Sequence, residues 1–192
     1  MEPKTGGIIL AGGRASRMGG GDKPLLLLGG QTLLARCIGR VGPQVARLAL
    51  SANGDPARFA EFGLPVLADP VGDHWGPLAG ILAGLEYFRD YRTMASFPGD
   101  TPFLPHDMVK RLRAAGDFAV IETQGRSQPI CALWPTRLAG ALRVALESGV
   151  RKVEEFAQAY QPARVDWPAE YFFNINRPED LARAEELLPT MR

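Results

Sequence analysis

Between Leu10 and Lys23 the chain reads LAGGRASRMGGGDK, which sets five glycines, two arginines and a lysine together without apolar periodicity. Glycines let a backbone approach a ligand closely and turn its N–H groups inward. Arg14, Arg17 and Lys23 carry the charge that a polyphosphate neutralises. The stretch follows an apolar run at 7–10, so it reads as a loop leaving a strand and cradling a nucleoside triphosphate. Neither common phosphate loop fits. A Walker A loop requires Gly-x4-Gly-Lys-[Ser/Thr], and here Pro24 follows Lys23. A dinucleotide fingerprint requires Gly-x-Gly-x-x-Gly at a helix start, a spacing that Gly12, Gly13, Gly19, Gly20 and Gly21 do not supply.

Phosphoryl and nucleotidyl transfer need cations around the leaving phosphates and a carboxylate that holds a magnesium ion. Lys23 and Arg17 suit the first task. Asp100, in the turn Pro98-Gly99-Asp100-Thr101-Pro102, suits the second, because a carboxylate is a hard oxygen ligand of the kind Mg2+ takes. Asn53 and Asp69 are two further polar residues that follow apolar runs. Each of the three also has a plain structural use, as an Asx-turn or capping residue beside Gly or Pro.

The elements that must position these residues come from periodicity. Short apolar runs at 7–10, 45–52, 65–69 and 93–97 alternate with helical patterns at 33–41, 56–62, 78–88 and 105–115, the last with Pro105 in its first turn. Runs at 118–122 and 129–134 flank Gln124-Gly125-Arg126 as a hairpin, helices are predicted at 136–147, 153–160 and 178–188, and residues 165 and 171–175 read as extended. This alternation predicts one α/β domain with a mostly parallel sheet, helices on both faces and a mixed excursion near 118–134. Ligands of such sheets bind beyond the carboxyl ends of the strands, so the glycine loop, Asn53, Asp69 and Asp100 should face one crevice.

Composition excludes several other classes. The chain has 192 residues, 46% of them hydrophobic and 22% charged, with a net charge of +1 and both signs scattered. No basic face points to nucleic acid. No run approaches the ~20 apolar residues that a membrane-spanning helix needs, and no signal-like segment opens the chain, so a cytoplasmic protein with small-molecule partners is expected. Cys37 and Cys131 lack metal or redox spacing and read as reduced, buried thiols. His74 and His106 have no partners at ligand spacing.

LAGG-x-x-x-Arg-Met-Gly with Lys23, Asn53, Asp69, Gly76-Pro77-Leu78-Ala79-Gly80 and Gly99-Asp100-Thr101-Pro102 resembles molybdenum cofactor guanylyltransferase. The resemblance resumes at Gln128-Pro129-Ile130-Cys131-Ala132-Leu133 and at Asn174-Ile175-Asn176-Arg177-Pro178-Glu179-Asp180-Leu181. It implies a three-layer, Rossmann-like nucleotidyltransferase fold. It also implies transfer of GMP from GTP to the terminal phosphate of molybdopterin, usually molybdenum-loaded, with release of pyrophosphate. By the resemblance Leu10, Ala11 and Gly12 contact the nucleotide, as do Lys23, Asn53, Asp69 and Asp100, and Asp100 also holds Mg2+. Transient contacts with molybdenum-insertion or acceptor proteins would accompany such a role.

Related enzymes that use pyrimidine nucleotides tend to read Leu-Ala-Ala-Gly at the opening motif. The adjacent Gly12 and Gly13 therefore leave room for a purine, and a carboxylate or amide oxygen of Asp69 or Asn53 could accept from the guanine edge. Within a single domain over 1–192, residues 1–105 are assigned mainly to the nucleotide and 118–192 mainly to the acceptor. Gln128, Asn174 and Asn176 are candidate pterin contacts, with Arg151 and Lys152 for its phosphate; Asn176 could equally cap the final helix. A cytidylyltransferase with the same fold and a non-catalytic GTP-binding delivery module are the alternative readings.

Overall fold

The computed structural model describes residues 4–12, 22–70 and 75–191. Gly13, Arg14, Arg17, Gly19, Gly20, Gly21 and His74 lie outside them. The chain opens with β1 (Thr5–Leu10), a small hairpin of β2 (Leu27–Leu28) and β3 (Gln31–Thr32), helix α1 (Leu33–Val41) and β4 (Arg47–Ser51). A 3-10 segment (Pro56–Phe62), β5 (Val66–Leu67), α2 (Pro77–Tyr87), β6 (Thr93–Pro98) and α3 (Met108–Ala115) follow. The second half supplies β7 (Ala119–Thr123), β8 (Arg126–Pro135), α4 (Ala139–Glu147), α5 (Val153–Gln158), β9 (Ala163–Asp166) and α6 (Pro178–Leu187).

Seven strands form one sheet in the order β5-β4-β1-β6-β8-β7-β9. Pairings are parallel except those that β8 makes with β6 and β7. The expected mostly parallel sheet with a mixed excursion is therefore present. Alternation along each strand sends side chains to opposite faces. Ile9, Leu50 and Phe97 pack with Leu34 and Cys37 of α1 and Leu112 of α3, whereas Ile8, Ala49 and Met94 pack with Leu78 and Leu85 of α2, Leu142 of α4 and Phe156 of α5. Two buried layers thus sandwich the sheet.

Two glycines matter to this geometry. In α2, every residue from Leu78 to Leu85 is buried, which is possible because the helix lies against the sheet with Gly80 at the contact. A Cβ on Gly80 would stand 2.4 Å from Ser51 Oγ and 2.8 Å from Leu10 Cδ2. That close approach brings the helix start to the ends of β1 and β4. Between β7 and β8 the hairpin turns on Gln124 and Gly125, both at positive φ (51° and 71°), as a two-residue turn requires. A Cβ on Gly125 would meet nothing within 4 Å, so its effect is purely conformational. Gly125→Ala is expected to cost about 1 kcal/mol in urea unfolding, and Gly125→Asn less, because Asn tolerates the left-handed region better.

Three expectations need correction. The helix anticipated from Pro105 begins at Met108, with Asp107 at its N-cap position, because Phe103 and Leu104 are drawn into the core first. Residues 136–138 form a 3-10 turn ahead of α4 rather than its first turn. Residues 171–175 pair with no strand among the described residues. Ala169–Phe172 coils into a 3-10 turn, and the chain then runs irregularly to α6. Its aromatics are used for packing instead: Phe172 meets Trp167 edge-on, with 6.3 Å between ring centroids.

Candidate active site

The site is built where β1, β4, β5 and β6 end. Beyond β1, Ala11 N donates to Ser51 O (2.9 Å), and Gly99 N donates to Leu10 O (3.0 Å), so three neighbouring strand ends stay stitched past the sheet. Asp100 therefore leaves β6 from a fixed base. The turn is held from below as well, since the buried Cys37 thiol donates to Thr101 O (3.2 Å) and Pro98 O (3.7 Å). Burial pushes the Cys37 thiol up to about 12 and raises Cys131 as well. Both cysteines are free and buried, and both act as packing groups rather than nucleophiles.

Lys23 opens a 3-10 turn (Lys23–Leu25) and sends its ammonium into the same place. Nζ donates to Asp100 Oδ2 and to Asn176 Oδ1, each at 2.5 Å. Lys23 is only 8% exposed, and the ion pair is thereby shielded from solvent on the lysine side. Asn176 is available because Asp180 takes over the capping work. The Asp180 carboxylate accepts from Asn176 N (2.8 Å) and Arg177 N (2.9 Å). Ile175 N donates to Asp100 O (3.1 Å), and Thr101 Oγ1 hydrogen-bonds Asn174 Oδ1. The segment 174–176 is thus laid directly along the Asp100 turn.

Asn53, just past β4, faces Asp69, just past β5. Asn53 Nδ2 donates to Asp69 Oδ2 (2.8 Å) and Asp69 N donates to Asn53 Oδ1 (2.9 Å). Both ends of the amide are committed to the same residue, so Asn53 orients the Asp69 carboxylate. A cavity of about 380 Å³ is lined by Lys23 and Asp100, by Asn53 and Asp69, and by Leu10 and Gly12. Of the four strand-end positions predicted to share a crevice, Asn53, Asp69 and Asp100 line this one, together with Gly12 and Lys23 from either side of the undescribed part of the glycine loop. Ala11, also expected to contact the nucleotide, is buried and does not line the cavity, and its backbone N–H goes to Ser51 O. Gly12 lines this cavity, and a Cβ there would meet nothing within 4 Å among the described residues.

A second cavity, of about 410 Å³, abuts the first, and Pro77, Pro98, Ile130 and Asn174 line both. Gln128, Arg151 and Lys152 line it as well. Gln128 Nε2 donates to Thr123 Oγ1 (3.0 Å), which fixes its amide in the wall. Arg151 lies over the Trp75 ring (4.1 Å) and donates to Leu146 O (2.6 Å) and Val150 O (2.9 Å), so its guanidinium is already in place. Two pockets therefore meet at Asn174, beside a lysine–aspartate pair.

This is the arrangement that nucleotidyl transfer between two bound phosphate compounds needs, and comparison with known proteins fixes the family. Residues 7–163 match the MobA-like NTP transferase domain. A molybdenum cofactor guanylyltransferase of Rhodopseudomonas palustris (strain BisB5) is 53% identical over 96% of this chain and 94% of its own length. The chain belongs to the molybdenum cofactor guanylyltransferase family. A second member, from Mesorhizobium japonicum, is 48% identical over 100% of this chain and 99% of its own length. In fold, molybdopterin-guanine dinucleotide biosynthesis protein A of Archaeoglobus fulgidus superposes with a TM-score of 0.76 at 23% identity, covering 97% of this chain and 100% of its own. The three-layer, Rossmann-like nucleotidyltransferase fold and the enzyme class follow directly.

Within a guanylyltransferase frame, the placement of each candidate residue can be stated. Leu10, Gly12, Lys23, Asn53, Asp69 and Asp100 gather at the first cavity, and Gln128 lines the second. Asn174 borders both, whereas Asn176, expected beside it, lines neither and instead accepts from Lys23 Nζ. Thr101 lines the second cavity and Ser51 and Gly80 the first; Thr101 and Gly80 fall within the family motifs, and Ser51 has no signal in the sequence. Among the described residues no group of three His, Cys, Asp or Glu side chains could enclose a metal. A divalent ion at Asp100 would take its other ligands from substrate oxygens and water, which is the usual habit of Mg2+. No helix among the described residues is long and apolar enough to cross a membrane.

Proposed function

We propose that the chain transfers GMP from GTP to the terminal phosphate of molybdopterin. The observation that carries this reading is the pair of abutting cavities that share Asn174, with the Lys23–Asp100 pair lining the first. GTP takes the first cavity, with its phosphates toward Lys23 and Asp100 and its base toward Asp69. The Asp69 carboxylate, aimed by Asn53, accepts from the two neighbouring N–H donors of guanine. Molybdopterin takes the second, its pterin against Gln128 and its phosphate toward Arg151 and Lys152. Residues 1–105 thus serve the nucleotide and 118–192 chiefly the acceptor, with Asn176 reaching back to Lys23.

The acceptor is a phosphate monoester with a second pKa of about 6, hence largely dianionic at neutral pH. It needs no general base. Its oxygen attacks the α-phosphorus, the bond to the β-phosphate oxygen breaks, and pyrophosphate leaves with the electron pair. The chain's contribution is in-line positioning and neutralisation of charge, with Lys23 and, from the glycine loop, Arg17 on the departing phosphates. A magnesium ion held by Asp100 would supply Lewis-acid stabilisation at the phosphates when bound. A reaction that draws on GTP belongs in the cytoplasm, with transient hand-over to molybdenum-inserting or acceptor proteins.

The test is turnover. With Mg2+ and molybdopterin, pyrophosphate release is expected with GTP and not with CTP; equal release with CTP would sink the guanine assignment. Binding of GTP without release would mark a delivery module instead. Gly12→Ala, which adds a methyl group to the cavity wall, is expected to raise KM for GTP by about tenfold while leaving KM for molybdopterin unchanged. An unaltered GTP KM would show that the base and ribose do not pass this wall.

A further inference from the structure

We propose that Arg58 is a positioning residue for the nucleotide, tying the exit of the glycine loop to the Asn53–Asp69 pair; this rests on the nucleotide occupying the first cavity. Arg58 belongs to none of the motifs that identify the site. It lies in the 3-10 segment Pro56–Phe62, whose start is fixed by Asp55 accepting from Ala57 N (2.9 Å). Its guanidinium points back toward the cavity wall. Nη2 donates to Asn53 O (2.6 Å), and Nη1 stands 3.3 Å from Asp22 Oδ1. The group sits 4.8 Å over the ring of Phe59, which is itself fully buried, so its plane has a rigid backing.

Asp22 supports the same reading from the other side. It occupies the N-cap position of the Lys23–Leu25 turn, where an aspartate ordinarily accepts from the turn's own N–H groups. Asp22 makes no such bond, and its carboxylate goes to Arg58 instead. Arg58 Nε is enclosed with no hydrogen-bond partner among the described residues, a cost that the two-ended clamp must offset. One guanidinium therefore joins the residue that precedes Lys23 to the residue that orients Asp69. The phosphate end and the base end of the cavity are set at a fixed separation by one side chain. Lysine, a single point charge, cannot span both partners in this way.

The experiment compares wild type, Arg58→Met, Arg58→Lys, Asp22→Asn and the Asp22→Asn/Arg58→Met double variant. Binding of GTP and CTP is measured by calorimetry with Mg2+, and KM is measured for nucleotide and molybdopterin separately. Arg58→Met is expected to weaken GTP binding by about tenfold and raise its KM to match, with the molybdopterin KM within about twofold of wild type. Arg58→Lys should not restore binding. In the Asp22→Asn background the effect of Arg58→Met should shrink, as two residues of one clamp require. Unchanged GTP binding in Arg58→Met, equal weakening of both substrates, or full additivity with Asp22→Asn would each overturn the proposal. A wild type that prefers CTP would overturn the base assignment instead, and the same comparison would then be made with CTP.

Discussion

Asp100→Ala is expected to lower pyrophosphate release by about 10³-fold or more, the size of loss associated with removing one preorganised electrostatic contributor together with a metal position. Two roles are lost together. Asp100 is the carboxylate that would hold the divalent ion, and it is the partner of Lys23 Nζ at 2.5 Å. The variant also leaves the ammonium of a buried lysine with Asn176 Oδ1 as its remaining acceptor among the described residues. That uncompensated donor should cost about 1–3 kcal/mol of stability, toward the lower end because the Asp100 side chain is 23% exposed and water can reach the gap. Asp100→Asn separates the roles. It keeps an oxygen for Lys23 and the hydrogen bond from Ile175 N to the backbone of residue 100, so the melting temperature should stay near wild type, yet the charge that would hold the ion is gone. Turnover by Asp100→Asn above about a tenth of wild type, in saturating Mg2+, would reject the assigned role.

The strand-end positions of Asn53, Asp69 and Asp100 are legible because each comes at the end of a short apolar run beside a Gly or Pro (Gly54, Pro70 and Gly99), a local signal that needs no knowledge of the tertiary structure. A parallel sheet then converts those local signals into one shared crevice. Contacts between distant segments are a different matter. Asn176 reads equally well as a helix cap or a ligand contact, and only the fold shows that Asp180 does the capping while Asn176 meets Lys23 across a separation of 153 residues. Residues 171–175 illustrate how propensity misleads: Tyr171, Phe172 and Phe173 fit a strand pattern, but they pair with no strand among the described residues and Phe172 packs beside Trp167. Arg58 carries no signal of its own, because an arginine in a short helical segment is ordinarily a solvated charge. Its role depends on Asp22 and Asn53 arriving from separate elements.

Lys23→Ala should weaken both steps that the lysine serves. In the free protein its ammonium bonds Asp100 and Asn176; with GTP placed in the first cavity as proposed, its remaining donor would serve the departing phosphates. Loss of one charged donor in a largely dry site corresponds to about 3–4 kcal/mol of transition-state stabilisation, so kcat/KM for GTP is expected to fall by about 10²–10³-fold. The fall should divide between a higher KM and a lower kcat, because the ammonium meets ground-state phosphates and also the charge that grows on pyrophosphate as it leaves. Lys23→Arg should recover little. The lysine is 8% exposed and gripped at 2.5 Å on two sides, and a planar guanidinium does not fit a space shaped for a compact ammonium. Steady-state kinetics with GTP and molybdopterin varied independently provide the check: a change confined to the molybdopterin KM would move Lys23 to the acceptor side, and near-normal kcat/KM for GTP would remove it from the mechanism.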